Sequence, residues 1–274
     1  MTLLKTNKIL TKSSYRLSVQ VSLTGLSFLV LDLEKQETVF FSEKTFGGTR
    51  SPEEVLLEIQ EIIDKTEVLQ SNFLKVSVVF ANNIYTVVPT TLFDESKLSE
   101  YLKFNSKMLA NDYITFDSID NHEMVVVYVP YVNITNYFFD RYGTFQYYHS
   151  ASIFLKTILD SEKHTIVPKV YVHVQDNSFD CIVLRESSLQ LCNTYSYRTP
   201  EDFIYYVLFC LEQLNLNPDK VIFYLCGDIA ENDNIYNIVY KYIRNVKFVD
   251  MSTFAKIDIT EKDNHRHFIL KHSL

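Results

Sequence analysis

Apolar and polar residues alternate along 15–21, run largely apolar along 27–33 and resume at 38–41, with Thr24-Gly25 and the polar triplet 34–36 between them. Short β-rich runs bounded by such breaks predict a three-stranded meander. Ser51, Pro52, Glu53 and Glu54 follow, and each suits a helix start. Ser51 is a hydroxyl cap, Pro52 stands where no N–H is needed, and the acids face the positive end of the helix dipole. Glu54, three residues after Ser51, completes a capping box. Val55, Leu56, Ile59, Ile62 and Ile63 then recur at helical spacing. A buried strand at 76–80 comes next. A second amphipathic helix is expected near 94–109, carrying Leu98, Tyr101, Leu102, Met108 and Leu109.

The pattern returns from residue 169. Runs at 170–174, 179–184 and 189–192 form another meander, and Thr199, Pro200, Glu201 and Asp202 open a helix with Phe203, Ile204, Val207, Leu208, Leu211 and Leu214 on one face. Asn217-Pro218 ends it, because proline disfavours helix in the residue before it. A strand at 220–225 follows, then a helix face of Ile235, Ile238, Val239, Tyr242 and Ile243. Between the copies lie a buried strand at 124–129, a helix at 131–142 with Gly143 as a left-handed stop, and a strand within 144–149. Ile153, Leu155, Ile158 and Leu159 belong to a connecting helix. The order β-β-β-α-β-α thus occurs twice, predicting an α/β fold of two ribonuclease-H-like halves, 1–165 and 166–274. No Gly/Ser linker separates them, so they are expected to pack together around a cleft.

Composition narrows the chemistry. Only 5 of 274 residues are glycine, which leaves little material for phosphate-cradling loops. The net charge of −8 supplies no overall basic field, so nucleic acid is not an expected partner. Lys241, Arg244 and Lys247 read as a solvated helix end. No signal-peptide pattern opens the chain, and nowhere do 18 apolar residues run together, so neither secretion nor a membrane span is expected. The four cysteines, at 181, 192, 210 and 226, form no C-x-x-C pair and sit in apolar segments. They read as buried free thiols in a reducing, cytoplasmic setting, where Asn133-Ile-Thr135 would go unglycosylated.

The duplicated order resembles that of the actin-like ATPase superfamily: sugar kinases, actin, the chaperone ATPase domain and bacterial pilus and division relatives. The segment Asn193-Thr-Tyr-Ser-Tyr-Arg-Thr-Pro-Glu-Asp-Phe-Ile-Tyr-Tyr-Val-Leu-Phe209 is similar to the signature of uncharacterised bacterial proteins grouped as a domain of unknown function with that fold. The resemblance implies the fold; it also implies places where nucleotide would be held. The superfamily's first phosphate turn is Asp-x-Gly. Here Gly25 matches, but Ser22 stands where the acid is expected, and a neutral hydroxyl is a poor partner for Mg²⁺. The second turn has Gln175 at the acid position and no glycine. Asp176 could serve by a one-residue slip, although strand alternation would point it to the other face. The adenosine turn, normally Gly-Gly, reads Gly227-Asp228, and its first-half equivalent reads Ala81-Asn82-Asn83.

Other candidates have simpler readings. His265, His267 and His272 read as a solvated tail rather than a metal site. Asp228, Glu231 and Asp233 read as helix capping rather than Mg²⁺ binding. A ribonuclease-H-type nuclease would need a first-strand acid that 15–22 lacks. Eight aromatic residues (Tyr131, Tyr137, Phe138, Phe139, Tyr142, Phe145, Tyr147 and Tyr148) are expected to be mostly core, with some available to a protein partner. The leading expectation is a cytoplasmic interaction or scaffold protein on a degenerate actin-like fold, without ATPase turnover and without a resident cofactor. The rival is a nucleotide-binding protein, a slow ATPase or small-molecule kinase, holding Mg-ATP through Gly25, Asp176, Gly227 and Asp228. A third expectation, a structural subunit of an assembly, rests on the pilus and division relatives alone.

Overall fold

The computed structural model describes residues 14–103, 112–162, 166–250 and 265–273. The first half opens with β1 (Tyr15–Val21), β2 (Gly25–Asp32) and β3 (Glu37–Thr45), an antiparallel meander. Helix α1 (Pro52–Lys65) then leads to β4 (Lys75–Phe80), parallel to β1. An insertion follows: β5 (Tyr85–Pro89), α2 (Leu98–Leu102), β6 (Thr115–Ile119) and β7 (Met124–Tyr128), whose strands form a separate sheet of order β5-β7-β6. Helix α3 (Val132–Tyr142), β8 (Gln146–His149) and α4 (Ser150–Ser161) complete the half, giving a main sheet of order β3-β2-β1-β4-β8.

The second half repeats it: β9 (Lys169–Val174), β10 (Ser178–Arg185), β11 (Ser188–Ser196), α5 (Pro200–Gln213), β12 (Ile222–Gly227), α6 (Asn234–Tyr242), β13 (Asn245–Phe248) and α7 (Phe268–His272). Its sheet order, β11-β10-β9-β12-β13, matches the first. The duplication extends to irregularities. Register slips between Val30 and Leu31 in the first meander and between Val183 and Leu184 in the second, the same place in each hairpin. Both long helices open with complete capping boxes, Ser51 with Glu54 and Thr199 with Asp202.

The repeat differs from the sequence reading in one respect. The counterpart of α6 is α3, which links β4 to β8 as α6 links β12 to β13. The helix expected near 94–109 is the short α2 inside the insertion, and Met108 and Leu109 lie outside the described residues. Gly143 does stop α3, but at φ 75° and ψ −136°, outside the left-handed helical region.

Helix α1 packs beside α3 and α5 beside α6, while α4 meets α7, which lies against β1 and β2 of the first half. The expectation of a solvated tail at His265–His272 is overturned. Phe268, Ile269 and Leu270 are fully buried, and the Phe268 ring meets that of Phe154 in α4 edge to face, with centroids 5.5 Å apart. Burying each such side chain contributes about 1.5–3 kcal/mol, which fixes the three histidines beside them. His265 stacks on Phe248, His267 tilts onto Phe41, and His272 stacks on Phe268. The aromatic crowd at 131–148 is core or half-buried except for Phe139, 60% exposed.

Candidate functional site

The hairpin turns β1–β2 and β9–β10, the end of β12 and the C-terminal segment converge on one cleft between the halves. Gly25, Asp176, Gly227 and Asp228 all line it, with Ser22, Glu43, Gln175, Arg266 and His267. The four residues singled out from sequence are therefore brought together. The cleft measures about 100 Å³.

Each turn is closed by its own residues. In the first, the Ser22 hydroxyl accepts from the N–H groups of Thr24 (3.2 Å) and Gly25 (2.9 Å) and donates to the Gly25 carbonyl (3.0 Å). Serine at this spacing forms a local turn that satisfies the backbone donors internally. Gly25 also packs tightly, since a Cβ there would lie 2.9 Å from the Lys44 carbonyl oxygen. In the second turn, the Gln175 amide donates to buried Asp180 (3.0 Å). Asp176 is exposed at the tip.

Gly227 has a purely internal reason to be glycine. It has φ +88° and pairs with Val174, and a Cβ would sit 2.2 Å from the Val174 oxygen. The space that a missing side chain leaves is filled by β9 itself. Asp228 N donates to Val174 O (2.8 Å) and Gly227 N to His265 O (3.0 Å), so the C-terminal segment is tied to the same corner. Arg266 donates to Asp228 Oδ1 at 3.0 Å. Glu43, from the opposite half, has its carboxyl pushed up by burial and by Asp228, partly countered by Arg266. His267 is held neutral, its pKa lowered to about 4 by burial and by Lys271 and Arg266.

Beneath the cleft lies a polar network that links the halves. Asp180 accepts from Gln175 and from Thr194 Oγ1 (2.5 Å), with His173 Nδ1 at 3.4 Å. Thr194 in turn lies 3.1 Å from the Tyr85 hydroxyl, which belongs to the first-half insertion. The Tyr85 ring covers His149 at 4.6 Å. His149 Nδ1 accepts from Ala151 N, so its Nε2 carries the proton and donates to Asn82 O at 3.1 Å. Burial lowers its pKa to about 4. Asn82, in the first-half equivalent of the adenosine turn, is used up structurally: it donates to Val129 O and accepts from Ile84 N. Sequence reasoning missed Asp180, although the signal was present as a lone acid within the apolar run 179–184.

Asp233 caps no helical N–H of α6; its carboxylate accepts from Ala230 N at 2.7 Å. Among the described residues, no group of three His, Cys, Asp or Glu side chains is placed to hold a metal ion. No helix among them is long and apolar enough to cross a membrane. Cys181, Cys210 and Cys226 are buried and Cys192 is half-buried, all as free thiols.

The chain belongs to the family described as protein of unknown function (DUF3822), whose model matches residues 4–246. No curated protein matches it. Among solved structures, it is similar to a Bacteroides thetaiotaomicron protein with an actin-like ATPase fold and unknown function. That pair has TM-score 0.77 and 18% identity over 87% of this chain and 91% of the other. It is also similar to a chain of the PilM–PilN type IV pilus biogenesis complex, with TM-score 0.56 and 13% identity over 91% of each. These likenesses establish the actin-like ATPase fold.

Proposed function

We propose that this protein is a non-enzymatic interaction or scaffold protein of the cytoplasm, built on an actin-like fold whose ancestral nucleotide cleft is closed from within. The observation that carries the reading is Gly227: the Val174 backbone fills the space its missing side chain leaves. Three further features support it. Ser22 saturates the backbone donors of its turn, Gln175 is committed to Asp180, and Arg266 neutralises Asp228. A cleft of about 100 Å³ is also small beside the roughly 300–1,000 Å³ of ordinary ligand pockets. These residues do not fit Mg-ATP held in the superfamily's manner, and no catalytic step is assigned to them.

An interaction role accords with the likeness to a chain of the PilM–PilN complex, a protein assembly. It accords as well with Tyr205, Phe209, Tyr240 and Tyr242, which stand exposed on α5 and α6. Tyrosine and phenylalanine supply large contact area at low entropic cost. The test is thermal unfolding with and without Mg-ATP or Mg-ADP. A ligand present at 100 times its Kd would stabilise the native state by about 2.7 kcal/mol. The reading expects no saturable rise at millimolar nucleotide. A saturable rise would instead favour the slow ATPase or kinase.

A further inference from the structure

The end of the first sheet remote from the cleft holds a larger cavity, of about 450 Å³. Lys75 opens β4 and enters this cavity, while Ser22 and Gly25 stand at the far end of the neighbouring, parallel β1. Lys156 and Thr157 of α4, Asp117 of β6 and Ser273 of the C-terminal segment contribute other walls.

Its cations are arranged unfavourably in the absence of a ligand. Arg16 and Lys75 are register partners on adjacent strands, so their side chains leave the sheet on the same face. That face is the one covered by the C-terminal segment, because Ser18, two residues from Arg16, meets the Ser273 hydroxyl. Like charges placed directly opposite destabilise a sheet. Lys156 adds a third positive charge, and burial together with the fields of Arg16 and Lys156 lowers the Lys75 pKa. None of the three forms an ion pair with a described residue, and Arg16 Nε is buried without a hydrogen-bond partner. The two lining acids are engaged elsewhere: Asp160 pairs with His122 at 2.9 Å, and Asp117 accepts from Ser152, Tyr128 and His149 N.

We propose that this cavity binds a small phosphomonoester, its phosphate neutralised by Lys75 and Lys156, with the Arg16 charge beside Lys75 adding to the positive field, and its organic body held among the hydroxyl-bearing residues of α4. A phosphate monoester carries a charge of about −1.5 to −2 at pH 7 and three acceptor oxygens, which suits two lining lysines with a third cation beside them better than a carboxylate does. The cavity lies within the range of roughly 300–1,000 Å³ for small-molecule pockets and is too roomy for the phosphate group alone. The inference does not depend on the nucleotide cleft.

The test titrates the full chain with glycerol 3-phosphate, followed by calorimetry and by thermal unfolding, with succinate as the carboxylate comparison. The expected result is saturable binding of glycerol 3-phosphate below about 10 mM, with succinate weaker by about tenfold or more. Lys156 is exposed, so Lys156→Gln should fold normally and weaken binding by about tenfold, the loss of one charge-assisted contact. Lys75→Met should abolish binding and leave the ligand-free melting temperature unchanged or raised, because a repulsion has been removed. Absence of saturable binding in the wild-type chain overturns the proposal. So does binding that survives both substitutions, or succinate binding as tightly as the phosphomonoester.

Discussion

Replacing Gly227 by alanine separates two accounts of why glycine is there. If the residue exists to admit a nucleotide, Gly227→Ala should lose ligand binding and carry only the backbone strain of its positive φ. The structure predicts a larger loss of stability. At φ +88° an alanine incurs about 1–2 kcal/mol of backbone strain. Its Cβ would lie 2.2 Å from Val174 O and 2.9 Å from Val174 N, both backbone atoms in a parallel pair that cannot swing aside. Moving β12 from β9 disturbs the adjoining bonds from Asp228 N and Gly227 N, adding about 1–3 kcal/mol, as overpacking does elsewhere. The total is about 3 kcal/mol, or roughly 6–12 °C in melting temperature for a chain of this size. Gly47→Ala is the control. It has φ +68° with nothing within 4 Å of the added Cβ, so it carries the backbone term of about 1–2 kcal/mol alone. Urea unfolding of both variants measures the difference. Equal stabilities for the two would refute the packing argument.

Phe268→Ala should cost about 3–5 kcal/mol, because the ring is fully buried against Phe154, and differential scanning calorimetry would show it; a loss under about 1 kcal/mol would restore the solvated-tail reading. Ser22→Ala should cost about 1 kcal/mol in urea unfolding, since the Thr24 and Gly25 N–H groups lose their acceptor. His149 and Asp117 should give opposing pH dependences. His149 has its folded pKa at about 4, below the ordinary 6.5, so its contribution is lost as pH falls from about 6.5 to 4. Asp117 is raised by burial to about 6 from 3.8, so the folded chain binds that proton first and gains stability as pH falls from about 6 to 4. Asp117→Asn removes the gain and leaves the loss. Its urea stability should therefore fall more steeply than that of the parent between pH 6.5 and 4, by about 3 kcal/mol at about 1.4 kcal/mol per unit.

The duplication was legible because each half states it locally. Ser51 with Glu54 and Thr199 with Asp202 mark equivalent helix starts, and hydrophobic periodicity places the strands around them. The insertion was less legible. Tyr85–Pro89 and Thr115–Ile119 are five-residue strands in which seven of the ten residues are half-buried or exposed, so their alternation is weak against the surrounding loops. Gly25, Asp176, Gly227 and Asp228 line one cleft because the fold's topology dictates where those turns meet. What the turns do there was not legible. Whether Gly227 admits a ligand or accommodates Val174 depends on a backbone contact between residues far apart in sequence. The burial of His265–His272 is likewise a tertiary result: the apolar triplet 268–270 finds its partners on β1, β2 and α4.

The most direct test of the closed cleft is a titration of isotope-labelled protein with Mg-ATP, following the backbone amide resonances of Ser22, Thr24, Gly25, Gln175, Gly227 and Asp228. Their donors are already taken by Ser22, by the partner strands and by the C-terminal segment, so the account predicts no saturable shift of these amides at millimolar nucleotide. Saturable movement of Gly25 and Gly227 together would contradict it, and would make the cleft a nucleotide site despite its substituted turns.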